Sequence, residues 1–378
     1  MDLLDVIVAI TSDESSTVDL SNLSLQSQRH ALKSGLGAYL SHSADRGQLK
    51  VSPALMEALR SADLTSQILT GEYLDALEEI LHELQPLTHE VTLLKGISIC
   101  QSHYPVPHLR PMGDIDLLVP DALHPGTEMT LRRLGYRQTS SNPEEYYRNH
   151  HHSMPFYHSG RGVWVEIHRS LFQQSARVAR DPVFSSKGIQ QQRVNHRFRG
   201  LDCYRLSDEF QLIYTCAHWA EEFNTSRGLL PLADMCLLLK NKLHPLRWEV
   251  LLSWAQNSAS SKYLAFLLLY LQRRRLIELP GQVHRALANA STNMNTLSRL
   301  ALTRALERFV LQGQSTDSGF SRANAEILWA TLMKPGSPWL NLSQLPWNLL
   351  FPPGHPHRYS PALLGRRLRS AFKAKSCG

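Results

Sequence analysis

Two aspartates one residue apart, Asp114 and Asp116 in GDIDLLVP, stand at the mouth of an apolar run. In a strand alternate side chains share a face, so both carboxylates point the same way while Ile115 and Leu117 face a core. Like charges that close repel, and each carboxyl has its pKa raised unless a cation lies between them. The partner that fits is a hard divalent ion, Mg²⁺ or Mn²⁺, which takes carboxylate oxygens and keeps waters or phosphates as its other ligands. A second run, VWVEIH, sets Trp164, Glu166 and His168 on one face and Val165 and Ile167 on the other. Paired beside DIDLLV, it brings Glu166 to the two aspartates. Three carboxylates on adjacent strands can hold two metals roughly 3.5–4 Å apart, one activating an attacking oxygen and one supporting a leaving group. The structural alternatives for the aspartate pair are a cap or an edge strand facing water.

The elements that must position these acids begin with VTLLKGISICQSHY, a β-rich run that turns into a helix at Gly96. Glycine permits close backbone approach, and the free N–H groups of the following helix make an anion site. Lys95 and Ser98 add a charge and a hydroxyl. Arg110, on the proline-rich loop PVPHLRPMG, either clamps a phosphate oxygen or pairs with Asp114. The chain has no G-x-x-x-x-G-K-[ST], G-x-G-x-x-G or G-x-S-x-G, which leaves P-loop, dinucleotide-fold and serine-hydrolase readings without support. Consecutive residues of an extended segment point to opposite faces, so His150, His151 and His152 are expected to form a polar cluster near a turn, not a zinc site, with His152 lining the cleft. Trp219, Trp248 and Trp254 fall in helical patterns and are expected in the core, and Cys100 on an apolar helix face is expected buried.

The fold class that emerges is α+β, a small mixed-sheet core flanked by helical regions. Residues 1–88 read as an N-terminal helical region, with apolar residues at three- and four-residue steps in SLQSQRHALKSGLGAYLSH and LTGEYLDALEEILHELQP. Residues 89–206 form the α/β core, including a helix at TEMTLRRLGY and a hairpin, MPFYHSGRGVWVEIHRSL, with SGRG as its turn. Residues 207–335 return to helical texture in DEFQLIYTCAHWAEEF, LADMCLLLKNKL, RWEVLLSWAQNSA and YLAFLLLYLQRR. Residues 336–378 comprise a Pro- and Trp-rich stretch and a basic tail.

The chain of 378 residues is 43% hydrophobic and 19% charged, the balance of a globular protein. Its five cysteines are scattered with no CxxC, which suits reduced thiols in a cytoplasmic protein. No apolar run reaches membrane-spanning length, and the acidic start MDLLDVIVAITSDESS is unlike a secretory signal. Net charge is +7, of which Arg366, Arg367, Arg369, Lys373 and Lys375 in the tail supply five, with no acid among them. A deep nucleic-acid groove in the body is therefore not demanded. The tail either contacts an anionic partner or is a solvated terminus.

Strand, glycine turn, helix, D-x-D strand and then a strand with a lone acid is an order that resembles the DNA polymerase β-like nucleotidyltransferase superfamily. More narrowly, LLKGISICQSHYPVPHLRPMGDIDLLVP followed by VWVEIHRSL is similar to the uncharacterised bacterial nucleotidyltransferase family, with its L-K-G turn, Arg-Pro before D-I-D-L-L-V, and v-E-l-H strand. The resemblance continues through CAHWAEEF, LLPLADMCLLL and RWEVLLSWA. It implies Asp114 and Asp116 as the metal-binding pair, Glu166 as the third carboxylate, and Lys95, Gly96, Ser98 and Arg110 around nucleotide phosphates. His168 matches the family's histidine, and Asp234 matches a family aspartate that either reaches the cleft or serves an N-terminal turn or solvent. Where the superfamily has Gly-Ser or Gly-Gly at the turn, this chain has Gly-Ile-Ser. Where family members place a second histidine one turn after the first, His218 is followed by Glu222. The implied activity is transfer of a nucleoside monophosphate from a nucleoside triphosphate such as ATP to an acceptor, with two Mg²⁺ or Mn²⁺ ions and release of pyrophosphate. The acceptor is a small molecule, a peptide, a protein hydroxyl or an RNA end. The alternative is a nucleotide- or RNA-binding module with the same fold and no transfer chemistry.

Overall fold

The computed structural model describes residues 2–11, 17–85, 90–140, 142, 144–148, 150–174, 176–222, 229–240, 245–254, 258–292 and 294–313. The basic tail lies outside the described residues. Helices flank a mixed sheet, so the architecture is α+β.

The first helix, α1 (Leu3–Ile10), starts where Asp2 accepts from the Leu4 and Asp5 backbone and the Asp5 carboxylate reaches back to the Asp2 N–H. Its apolar side chains Leu3, Leu4, Val6, Ile7 and Ile10 are all buried. Next come β1 (Val18–Asp19), α2 (Leu25–Lys33), α3 (Gly37–Asp45) and β2 (Leu49–Lys50), with β1 and β2 forming a small parallel pair. The long helix α4 (Pro53–Glu83) has Ser52 as its N-cap and proline in its first turn, where the missing N–H costs nothing. Its second half turns Tyr73, Leu77, Ile80 and Leu81 inward against the sheet, at helical spacing.

The sheet is built from β3 (Thr92–Leu93), β4 (Ile115–Leu118), β5 (Arg137–Gln138), β6 (Phe156–His158), β7 (Val163–His168), β8 (Arg193–Phe198) and β9 (Leu201–Leu206), in the order β5-β6-β7-β4-β3-β9-β8. Strands β4 and β7 run parallel at its centre, as do β3 and β9, and the other pairs are antiparallel. The expected β6–β7 hairpin is present, closed at Gly162 in the left-handed region (φ 69). Across it the Tyr157 and Trp164 rings lie 4.5 Å apart. A second hairpin, β8–β9, turns through Arg199 and Gly200, both at positive φ. Four helices interrupt the strands: α5 (Lys95–His103), α6 (His124–Arg133), α7 (Glu144–Tyr147) and α8 (Ser186–Gln191).

After the sheet come α9 (Asp208–Glu222), α10 (Leu229–Lys240), α11 (Trp248–Trp254), α12 (Ala259–Arg273), α13 (Gly281–Thr292) and α14 (Thr296–Ala305). The N-terminus of α12 is capped from a distance: the Asp181 carboxylate accepts from the Ala259 and Ser260 N–H groups at 3.0 and 2.7 Å. Two apolar cores result. One joins the inner face of the sheet to α4 and α5. The larger joins α1–α3 to α9–α14, so the N-terminal helices and the C-terminal helices bury one common interior. Lys240 donates to the Val8 carbonyl at 3.1 Å, and Arg274 reaches Asp2 and Asp5 at 2.9 and 3.0 Å. Trp219 is fully buried, with Trp248 and Trp254 packed against the same core. The four described cysteines are free and buried, Cys100 among them. Among the described residues no helix is long and apolar enough to cross a membrane.

Candidate active site

Parallel pairing of β4 with β7 sets the register Asp116 beside Glu166 and Leu118 beside His168. Ile115, Leu117, Val165 and Ile167 point into the sheet core, as alternation requires, so the acids occupy the other face. The strand begins at Ile115, one residue later than the D-x-D alternation assumes, and Asp114 stands half-buried at its mouth. Asp116, Glu166 and His168 form a group whose ligand atoms all lie within 4.8 Å of one another. Of the three acids, two therefore converge with a histidine, and Asp114 joins them through its charge.

Asp116 Oδ1 accepts from Lys95 Nζ at 3.0 Å and from His168 Nε2 at 2.7 Å. Glu166 Oε2 lies 3.5 Å from His168 Nε2 and 3.6 Å from His152 Nε2. Burial works to raise the Asp116 carboxyl, but Lys95 and His168 hold it well below the usual carboxylate range. Burial likewise opposes Glu166, which the His168 hydrogen bond brings down. His168 is fully buried. Burial and the Lys95 charge disfavour its imidazolium, and the bonds to Asp116 and Glu166 outweigh them and raise its pKa. Its Nδ1 faces the Ser170 carbonyl at 3.4 Å, so both ring nitrogens look at acceptors, which suits the charged form.

Asp114 is the exception. The Asp116 charge, then burial, push its carboxyl up to about 7. The acidic pair is thus under-compensated by the side chains around it, which is the electrostatic condition for a divalent cation. Between its ordinary value of 3.8 and about 7, the unfolded chain ionises Asp114 while the folded protein keeps the proton, so stability falls as pH rises through that window. Asp114→Asn removes the penalty. In chelator-treated protein its melting temperature should match the native chain near pH 4 and exceed it at pH 8, by stabilisation on the order of 1–4 kcal/mol. A variant less stable than the native chain at pH 8 would contradict this account of Asp114.

Lys95 is the first residue of α5 and sits at φ 44, a left-handed conformation that costs a non-glycine residue of order 1–3 kcal/mol. The strain aims its ammonium at Asp116. Among the described residues no side chain caps the α5 N-terminus, which leaves its first N–H groups without a side-chain acceptor there. The space beside Gly96 belongs to Arg110: a Cβ there would lie 2.4 Å from Arg110 Nη1 and 3.1 Å from Met112 Cγ. Arg110 pairs neither with Asp114 nor with open solvent. Its Nε and Nη2 donate to the two oxygens of Asp234 at 2.9 and 2.8 Å, and the Tyr104 hydroxyl donates to Asp234 Oδ1 at 2.8 Å. Asp234 is 1% exposed, which corrects the solvent reading, and α10 begins at Leu229, which puts Asp234 past the N-terminal turn. Ser98 is 3% exposed inside the same turn. Gly96→Ala should cost about 1–3 kcal/mol, because the guanidinium it meets is locked on Asp234 and cannot swing aside. Urea unfolding checks this, and an unchanged midpoint would count against the lock.

The chain entering β6 runs antiparallel to the end of β7, with His152 bridged to His168. Arg169 donates its backbone N–H to the His151 carbonyl at 2.8 Å. Residues 150 and 151 bend instead of extending. The bend brings the His150, His151 and His152 rings to centroid separations of 4.2–4.7 Å. The expectation that consecutive histidines diverge fails here because that segment is not a strand. His218 is on α9, edge-on to Tyr214 at 5.9 Å. Tyr214 itself was not singled out from the sequence, yet it is near enough to Lys95 to act on that ammonium's charge.

Residues 25–275 match the family described as uncharacterised nucleotidyltransferase. The chain belongs to that family. Membership supports nucleotidyl transfer as the general chemistry of the chain, with a nucleoside triphosphate as the donor it would use. The match begins within α2 and ends after α12, so it takes in the sheet and helices on both sides of it. No curated protein and no solved structure matches the chain.

Proposed function

We propose that this nucleotidyltransferase is a divalent-metal-dependent enzyme of the DNA polymerase β-like superfamily. It moves a nucleoside monophosphate from a nucleoside triphosphate to a hydroxyl or phosphate acceptor. The observation that carries the reading is the register of Asp116 with Glu166 on parallel strands, with the Asp114 carboxyl at the mouth of β4. In the reaction an acceptor oxygen bonds to the α-phosphorus, the bond from that phosphorus to the β-phosphate oxygen breaks, and pyrophosphate leaves. The acceptor's proton passes to a carboxylate or to water.

The donor set fits Mg²⁺ or Mn²⁺, with Asp114, Asp116 and Glu166 as the hard oxygen ligands and room in the reading for two ions. Bound there, the metal would neutralise triphosphate charge and polarise the reacting oxygens. Lys95, aimed from the strained start of α5, then has a phosphate to bind as well as Asp116. His168 orients both strand carboxylates from beneath. Arg110 acts through structure, setting the Gly96 turn by its grip on Asp234, while the uncapped N–H groups of α5 face the phosphates. Positioning and charge neutralisation account for the rate enhancement. The core at 89–206 supplies the chemistry, the helices around it shape the acceptor cleft at His152 and His218, and buried thiols suit a cytoplasmic setting.

The test is incubation of the full chain with each labelled triphosphate, Mg²⁺ or Mn²⁺, and cell extract. Label transfer with stoichiometric pyrophosphate names donor and acceptor together. Metal-dependent thermal stabilisation by a triphosphate without pyrophosphate release would instead make the protein a binding module.

A further inference from the structure

Beside the carboxylates lies a second group of metal-ligating side chains of different chemistry. One ring nitrogen from each of His150, His151 and His152 falls within 4.8 Å of the others. An ion bonded to three imidazoles at ~2.0–2.1 Å holds their nitrogens about 3.3 Å apart, so small ring rotations close the site. The Nδ1 atoms of His150 and of His151 are both buried and have no hydrogen-bond partner among the described residues. Buried polar atoms without partners are rare and destabilising, and two side by side on neighbouring rings ask for a common ligand.

The surroundings fix the rings as ligand histidines are fixed elsewhere. His152 Nδ1 meets the Ser153 carbonyl at 2.6 Å, so it carries the proton and leaves the Nε2 lone pair outward. The Gln173 amide nitrogen contacts His150 Nε2; with the amide turned over, its oxygen takes the His150 Nε2–H and frees Nδ1. Tyr146 and Tyr147 pack on the His150 ring at 4.9 and 5.7 Å and close the far side.

From this geometry we infer that His150, His151 and His152 form a binding site for a borderline divalent transition metal of the Zn²⁺ class, separate from the hard-cation carboxylate centre. Imidazole nitrogens favour Zn²⁺ over Mg²⁺, so the two sites select different ions although they adjoin. His152 Nε2, 3.6 Å from Glu166 Oε2, is the point at which they touch. An ion on the histidines would stiffen the segment that enters β6 and hold Glu166 through the oxygen that His168 also approaches.

The experiment uses the tag-free, chelator-stripped full chain titrated with Zn²⁺ alone, and with Co²⁺ as a spectroscopic substitute. Expected are one equivalent of bound Zn²⁺ that millimolar Mg²⁺ does not displace, a nitrogen-rich shell by X-ray absorption, and ligand-field bands of low-coordinate Co²⁺. His151→Ala should weaken Zn²⁺ roughly a hundredfold or more, and Asp116→Asn should leave the Co²⁺ bands in place. The wild-type absorption measurement decides the matter even if a histidine variant fails to fold. An oxygen-only shell, no stoichiometric binding, or bands lost in Asp116→Asn and kept in His151→Ala would overturn the site.

Discussion

Replacing Asp116 by Asn is expected to cut the rate of nucleotidyl transfer by about 10³-fold or more while leaving the fold in place. Asp116 is the one carboxylate that touches every part of the centre: Lys95 and His168 on one oxygen, Glu166 in register across the strand pair, and Asp114 through its charge. The amide is isosteric, so β4 keeps its pairing and its apolar face. The positive partners also have somewhere to go, since Lys95 is 22% exposed at its side chain and His168 can give up its proton. Destabilisation should therefore stay near 1–3 kcal/mol. Asp114 offers a built-in control, because its titration near 7 depends first on the Asp116 charge. In Asp116→Asn the Asp114 carboxyl should return towards its ordinary range, an effect visible by NMR. Retention of near-native turnover with a folded protein would remove Asp116 from the chemistry.

The largest stability effect is expected at Asp234. Its two oxygens satisfy a guanidinium and a tyrosine hydroxyl, all within a buried seam between α5, the loop before β4, and α10. Asp234→Ala leaves Arg110 charged and enclosed, a defect worth about 3–5 kcal/mol. The pair is not itself a large source of stability, since taking two charges out of water nearly cancels their attraction. Replacing both residues with apolar ones of similar size, Arg110→Met with Asp234→Leu, should therefore recover most of the loss. Turnover should not recover with it, because Arg110 Nη1 also shapes the Gly96 turn that aims Lys95. Chemical denaturation of the two single variants and the double gives the coupling directly. A loss under about 1 kcal/mol in Asp234→Ala would mean the seam does not depend on the pair.

How far the residues themselves foretold this site depends on distance along the chain. Alternation within DIDLLV and VWVEIH, each a few residues long, placed Asp116 and Glu166 on one face, and the parallel register of β4 with β7 brings them together. The glycine turn into α5 and the SGRG hairpin were equally local and equally readable. The β8–β9 hairpin also carries a local signal, Arg-Gly between the alternating runs RVNHRF and LDCYRL. What local pattern could not give was partner choice across the fold. Arg110 had two nearby acids available and took one 124 positions away, because α10 packs over the loop. His168 was placed beside the acids by its strand, but its bond to Asp116 spans 52 positions. The three histidines misled for a different reason: face alternation holds only while the backbone stays extended, and it bends at residues 150 and 151.

The packing of α1 has a consequence for how the protein is made. Its five buried apolar residues find their cover on helices from the other end of the chain, and the Lys240 to Val8 bond spans 232 positions. At ~5–20 residues per second, a ribosome holds that greasy first helix without its mate for on the order of 10–50 s. A nascent chain in that state presents a sticky handle ahead of a finished catalytic sheet, and a holdase chaperone is the natural escort. Ending the gene after the sheet would leave the handle permanently bare, so an active minimal fragment has to discard α1 or keep α10.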